Sequence, residues 1–283
     1  MSLRLFKTTS ALVLESTDAP GVFRQAGPEF SINALFTLPD PLAYARFAYE
    51  SASAALAFRE DIPCEAPIGD QEIWAAGVTY FRSRTARMEE AEVAGGDLFY
   101  DKVYEAPRPE LFFKSAAAKA RGTLAKVGIR SDSTWDVPEP EFTLAINADG
   151  NLFGHTIGND MSSRSIEGEN PLYLPQAKNY TGSCALGPCL VVGPLPPPET
   201  KIAIAISRKG KEVFTGDTTL SQIKRRFEEL ADWLFKCNQF PTGAYLMTGT
   251  GIVPDSDFTL QVDDVVEIRI EGIGTLRNTV EKV

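Results

Sequence analysis

Apolar residues in this chain come mostly in short runs, either alternating with polar positions or packed together, and the runs are cut by glycine and proline. That pattern predicts strands over 73–78, 111–114, 124–129, 142–147, 152–158, 190–192, 202–207 and 265–272. Upstream, 4–15 and 21–32 have room for further short strands. Helical spacing is rarer. Asp40-Pro41 reads as an N-cap and first helical residue, opening a helix toward Phe58. Leu220, Ile223, Phe227, Leu230, Leu234 and Cys237 recur at three- and four-residue steps and give a second helix one apolar face. The charged stretch 82–104, broken by Gly95-Gly96, reads as helical and mobile, a flap over a site. The proline-rich stretch 63–69 marks a boundary between a small N-terminal region, 1–68, and a body, 69–283. No internal repeat or low-complexity tract interrupts this order.

The most informative stretch is 135–160, WDVPEPEFTLAINADGNLFGHTIGND. Asp149-Gly150 between two alternating segments signals a hairpin turn. With those two residues at its centre, Glu139 lies opposite Asp160; a shift by one residue puts Glu141 there instead. Glu139 and Glu141 point to the same face of their strand. Both registers therefore bring three carboxylates into one patch. Like charges opposed across strands repel, so the patch needs a cation or raised pKa values. A cluster of hard oxygen ligands suits Mg²⁺, with Mn²⁺ or Ca²⁺ as alternatives. A solvated acidic sheet edge is the competing reading, and Pro138 and Pro140 favour it. His155 falls on the other face, with Phe153 and Ile157, on the side of Phe142 and Ile146. There it reads as a core or interface histidine.

Composition narrows the chemistry. Lys+Arg 28 against Asp+Glu 38 gives a net charge of −10, the wrong sign for a dedicated nucleic-acid binder. No apolar run approaches the ~18 residues of a membrane span, and the apolar stretch 11–14 is short for a secretory signal. Cys64, Cys184, Cys189 and Cys237 form no metal-like or CxxC spacing, which suits reduced thiols in a cytoplasm. A single histidine excludes any multi-histidine metal site. The run 159–164 sets hydroxyls and the Arg164 guanidinium after the hairpin. Lys178, in the proline- and glycine-rich stretch 170–188, reads as a base or electrostatic clamp, or as an ordinary surface lysine. The turn 248–251, TGTG, either offers amides and hydroxyls to a carboxylate or merely joins strands. No GxGxxG, Walker or GxSxG motif is present.

Taken together, Glu139-x-Glu141, Gly158-Asn159-Asp160-x-Ser162-x-Arg164, Lys178, Gly187-Pro188, Thr248-Gly249-Thr250 and Gly272-Ile273-Gly274-x-Leu276-x-Asn278 resemble the fumarylacetoacetate hydrolase family over roughly 73–283. The resemblance implies a mixed α/β, β-rich fold: a β-roll or β-sandwich catalytic domain with a small N-terminal α+β region. It implies Mg²⁺ on Glu139, Glu141 and Asp160, a small 2-oxo acid substrate, and a homodimer or homotetramer. Lys178 matches the family's active-site lysine, and Thr250 its contact to the substrate carboxylate. RPELFFK and ENPLYLPQAKNYTGSCALGP are similar to the branch that dehydrates 2-keto-3-deoxy sugar acids, the 2-keto-3-deoxy-D-arabinonate dehydratases. Ser83 stands where the hydrolases and decarboxylases of the family carry a histidine, and Thr181 where an aspartate is usual. The implied reaction is dehydration of a pentonate to 2,5-dioxopentanoate through an enolate. Lys178 is the expected base, with Glu141 or Glu169 as a second proton-transfer group. Tyr80, Arg82, Ser83, Arg84, Phe113, Lys114, Ser115 and Arg164 are candidate substrate contacts. Alternatives are a C–C bond hydrolase acting on acylpyruvates, an oxaloacetate decarboxylase, a diene-dioate isomerase, and an inactive metabolite-binding relative.

Overall fold

The structure, a computed structural model, describes residues 2–52, 55–59, 62–80 and 103–283. Most of the expected flap, with Arg82, Ser83 and Arg84, lies outside the described residues. The chain opens with strands β1 (Leu3–Lys7), β2 (Leu12–Ser16) and β3 (Phe23–Gln25), helices α1 (Ile32–Thr37) and α2 (Pro41–Ser51), and strand β4 (Ala55–Leu56). Strands β5 (Glu72–Gly77), β6 (Glu110–Ala116), β7 (Lys126–Ile129), β8 (Asp136–Val137), β9 (Pro140–Ile146), β10 (Leu152–Asp160) and β11 (Ser162–Ser163) follow. Two short helices, α3 (Arg164–Glu169) and α4 (Leu174–Lys178), lead into β12 (Cys184–Val192). The rest is β13 (Lys201–Arg208), β14 (Lys211–Thr219), helix α5 (Phe227–Phe235), β15 (Ala244–Met247), β16 (Val265–Ile270) and β17 (Gly274–Lys282).

These strands form a 10-stranded sheet in the order β4-β3-β2-β1-β12-β10-β9-β15-β5-β6, a 5-stranded sheet in the order β14-β13-β16-β17-β7, and a 2-stranded pair of β11 and β8. One face of the large sheet, with Phe142, Leu144, Ile146 and Ile157, packs on the small sheet through Ile204, Ile268 and Leu276, and on α5 through Leu230 and Leu234. The other face, with Ala145, Leu186, Leu190 and Met247, is covered by Leu35 and Phe36 of α1 and Ala45 and Tyr49 of α2. The result is a β-rich sandwich whose central hairpin is buried on both sides, by the small sheet and α5 on one and by α1 and α2 on the other.

That hairpin, β9–β10, has the first of the two expected registers. Ala145 faces Gly154 and Pro140 faces Asn159, and Glu139 and Asp160 exchange main-chain hydrogen bonds at 3.2 and 3.0 Å. The turn itself differs. Asn147 pairs with Asn151, and its side-chain oxygen accepts from the Asp149 and Asn151 amides at 3.1 and 2.8 Å. A bulge between Leu152 and Gly154 then restores the register. The bulge also corrects one expected placement. Phe153 turns to the helix side and meets Phe36 edge-on at 4.8 Å, while His155 stays with Phe142, ring centroids 5.1 Å apart.

His155 is a core residue, 5% exposed, and its Nδ1 has no hydrogen-bond partner among the described residues. Burial holds its imidazole down at about 4. The folded state thus refuses a proton that the unfolded chain accepts at about 6.5. Stability from this residue is complete above the unfolded value and is lost as pH falls through the folded one, by about 3 kcal/mol. His155→Leu is expected to keep its denaturation midpoint between pH 6.5 and 4.5 where the parent loses stability, with turnover unchanged at pH 7. Urea melts at the two pH values check it.

Both expected helices are shorter than the sequence pattern suggests. Asp40 caps α2 as expected, accepting from the Ala43 amide at 2.9 Å. The helix stops at Ser51, because the chain turns extended at Ala52 and β4 pairs with β3, Leu56 facing Phe23. Helix α5 starts only at Phe227: Leu220–Gln222 is a 3₁₀ turn, and Ile223 bridges to Tyr80. Cys237 lies beyond the helix, exposed, with φ +60°. Among the described residues no helix is long and apolar enough to cross a membrane.

Candidate active site

Glu139 precedes β9, Glu141 is its second residue, and Asp160 ends β10. Neighbouring central strands and a shared face bring one carboxylate oxygen of each within 4.8 Å of the others. The three residues are 5%, 1% and 1% exposed. The acidic-edge reading therefore fails: β9 has β10 on one side and β15 on the other. Pro140 is tolerated because it is the first residue of its strand.

Buried carboxylates need partners, and three cations supply them. Lys178 Nζ donates to Glu139 Oε2 at 2.7 Å, Asp160 Oδ2 at 3.1 Å and Ser162 Oγ at 2.6 Å. Lys114 Nζ lies 2.5 Å from Asp160 Oδ1. Arg164 donates to Glu139 Oε1 at 2.6 Å. Lys178 is not a surface lysine: it ends α4 and is 1% exposed. Its ammonium also lies 5.7 Å from the centre of the Phe112 ring. Glu141 is served differently, by the Gly249 amide at 2.5 Å. Burial pushes the Glu141 carboxyl well above its ordinary value, and the charges of Asp160 and Glu139 add to the rise. Lys178 and the Gly249 amide oppose it.

The turn that aims that amide needs a glycine. Gly249 has φ +91°, and a Cβ there would run into Thr79 Oγ1. Thr79 in turn donates to Thr248 O at 2.6 Å. Beside it Val78 is held at φ +51°, a strained conformation for a β-branched residue.

Glu139, Glu141, Asp160, Arg164, Lys178 and Thr250 line one cavity of about 20 Å³ with Ala76, Gly77, Val78, Phe112, Gly249 and Val253. Wider clefts of about 540 and 400 Å³ open around Lys7 and Glu65. Neither is lined by a buried carboxylate or ammonium; of these three, only the small cavity gathers buried charged groups.

The remaining expected residues divide. Lys114, 0% exposed, reaches Asp160 but does not line the cavity. Phe113 turns away and packs edge-on against Trp74 at 5.9 Å; Phe112 faces the cavity instead. A bulge causes this, since Ser115 faces Ile73 and Phe113 faces Trp74, leaving Lys114 as the extra residue. Ser115 is buried and donates to the neighbouring Ala116 carbonyl at 3.0 Å. Tyr80 is buried against Gly251, outside the cavity wall. Burial, and then Glu141, push its phenol far above the ordinary value.

Glu169 is exposed at the end of α3. Glu167 takes the inward position, one turn from Arg164, at 3.7 Å from Arg164 and 3.6 Å from Lys178. That i,i+3 relation was the signal available in the sequence. Glu167 and Phe112 are site groups that the sequence reading missed, whereas the hydroxyls of 159–164 and the amides of 248–251 narrow to Ser162 and the Gly249 amide.

The donor set is three buried carboxylates within one ligand sphere, with no histidine or thiolate among them. It fits a hard divalent cation such as Mg²⁺.

A family model described as fumarylacetoacetate (FAA) hydrolase, C-terminal, matches residues 104–281. Over 219 residues the chain is 46% identical to a probable 2-keto-3-deoxyxylonate dehydratase of Haloferax volcanii, covering 77% of this chain and 74% of that protein. Over 226 residues it is 41% identical to the 2-dehydro-3-deoxy-D-arabinonate dehydratase of Saccharolobus solfataricus, covering 78% and 76%. The fold matches a solved 2-keto-3-deoxy-D-arabinonate dehydratase complexed with magnesium and 2,5-dioxopentanoate. The TM-score is 0.82 at 32% identity, over 100% of this chain and 99% of that one.

Proposed function

The chain belongs to the fumarylacetoacetate hydrolase family, and from that premise we propose that it is a divalent-cation-dependent dehydratase of a 2-keto-3-deoxy-pentonate, forming 2,5-dioxopentanoate. One observation carries the reading: a buried lysine sits among three buried carboxylates that share one ligand sphere. The names of the two relatives above support the substrate class, and the magnesium complex supports the ion.

Glu139, Glu141 and Asp160 would hold Mg²⁺. When bound, the ion supplies polarisation of the 2-oxo carbonyl and so acidifies the protons at C3. Lys178 is the group placed to move a proton. It lines the cavity, and Ser162 and Glu167 hold its Nζ at the carboxylates. Ser162 donates its own proton to Asp160 O at 3.0 Å, so its lone pairs face Lys178. Arg164 and Thr250 line the same cavity and are assigned to the substrate carboxylate and hydroxyls. Val78, Phe112 and Val253 give the cavity an apolar wall.

The test is an endpoint incubation with a 2-keto-3-deoxy-pentonate and Mg²⁺, read by mass spectrometry, with oxaloacetate and an acylpyruvate in parallel. The expected result is loss of one water from the pentonate, stopped by EDTA. Acyl cleavage or release of carbon dioxide from the other two, with the pentonate untouched, overturns the reading.

A further inference from the structure

We propose that Lys114 is a positioning residue for this reaction rather than a substrate contact: it fixes the Asp160 carboxylate and the main chain that carries Lys178. The inference rests on the dehydratase reading above for the reaction that it serves.

An ammonium has three N–H groups and no lone pair. Lys114 Nζ lies 2.5 Å from Asp160 Oδ1. It donates to Met161 O at 2.9 Å and to Lys178 O. Its side chain is 0% exposed, so no water competes for these donors. Two main-chain carbonyls take its hydrogen bonds and the Asp160 carboxylate pairs with its charge, so the ammonium is engaged with protein groups on the side away from the cavity. Lys178 is as buried and also meets three acceptors, but it differs in where it stands and in what those acceptors are. It lines the cavity, and two of its acceptors, Glu139 and Asp160, belong to the carboxylate trio. The two lysines share Asp160, yet only one faces the place where a substrate would stand.

The backbone explains why a lysine is needed here. Lys178 is the last residue of a five-residue helix, and a carbonyl in a last turn has no partner within its helix. Lys114 supplies a charged partner from outside. The bulge in β6 leaves Lys114 as the extra residue between Phe113 and Ser115, and bulges re-aim side chains in this way. One ammonium thus ties together the end of β10, the residue after it and the end of α4.

The test uses Lys114→Met and Lys114→Arg in the full chain. Mg²⁺ alone is titrated by calorimetry, and kcat and KM are measured at saturating Mg²⁺. The expected result for Lys114→Met is Mg²⁺ binding weakened by about 10–100-fold, a lower kcat, and a KM within about twofold of the parent. Lys114→Arg keeps the charge and shows the same split with smaller changes, so it carries the test where Lys114→Met does not fold. A KM raised by about tenfold or more with Mg²⁺ affinity unchanged overturns the proposal. So does a crystal structure of either variant with Asp160 and the end of α4 in unchanged places. A parent protein that binds Mg²⁺ but dehydrates no pentonate refutes the functional reading instead. The titration and the crystal structure then still decide the role of Lys114.

Discussion

Lys178→Met is expected to lower turnover by about 10²–10⁴, the range for removing a positioned acid–base group, while Mg²⁺ still binds. The side chain is nearly isosteric, so packing under Phe112 is kept and the charge alone is lost. In the protein without metal, that charge compensates Glu139 and Asp160 directly, with Glu167 3.6 Å away. Breaking a buried ion pair from one side costs about 3–5 kcal/mol. The variant should therefore be less stable than the parent without metal, and Mg²⁺ should restore more of its thermal stability than it adds to the parent. Steady-state kinetics and melting curves with and without Mg²⁺ check both halves. Turnover within a few-fold of the parent would remove Lys178 from the chemistry.

Glu139→Gln is expected to abolish metal-dependent turnover and leave the fold in place. Glu139 is the carboxylate with the most cationic attention: Arg164 at 2.6 Å on one oxygen and Lys178 at 2.7 Å on the other. The amide keeps the shape and one acceptor oxygen but loses the charge that a hard cation needs. It also presents an NH₂ group to one of the two cations, which cannot accept a hydrogen bond. The measurement is a Mg²⁺ titration of activity beside a far-UV circular dichroism spectrum. The expected outcome is no saturable Mg²⁺ response with an unchanged spectrum. Full Mg²⁺-dependent activity would place the ion elsewhere.

The carboxylate hairpin was legible in the sequence because two signals agreed there. Asp149-Gly150 marked the turn, and strict alternation fixed which side chains share a face. The bulge at Leu152–Gly154 was not legible; it altered the loop and the placement of Phe153 and left the carboxylates where alternation put them. A second bulge, at Lys114, had the opposite effect. It broke alternation within the RPELFFK run and exchanged Phe112 for Phe113 in the cavity. Strand β14 escaped the reading for another reason. Its face is largely exposed, so it carries little hydrophobic signal, and pairing with β13 makes it a strand. In the same way, Ile223 and Cys237 fit a helical period while tertiary contacts and a positive φ end the helix between them. The burial of Lys178 could not be read from its proline- and glycine-rich surroundings, which look like a surface loop. It follows from α4 packing against β6 and β11.

The central claim is that this site takes a proton from C3 of a 2-oxo acid and expels the hydroxyl at C4. Running the reaction in D₂O and recording the NMR spectrum of the product at early times tests that claim most directly. Loss of the C3 proton followed by return of solvent protons predicts 2,5-dioxopentanoate carrying deuterium at both C3 and C4, formed only with Mg²⁺ present. Deuterium at C4 alone would mean that the hydroxyl leaves through a proton taken from C5, and would contradict the account.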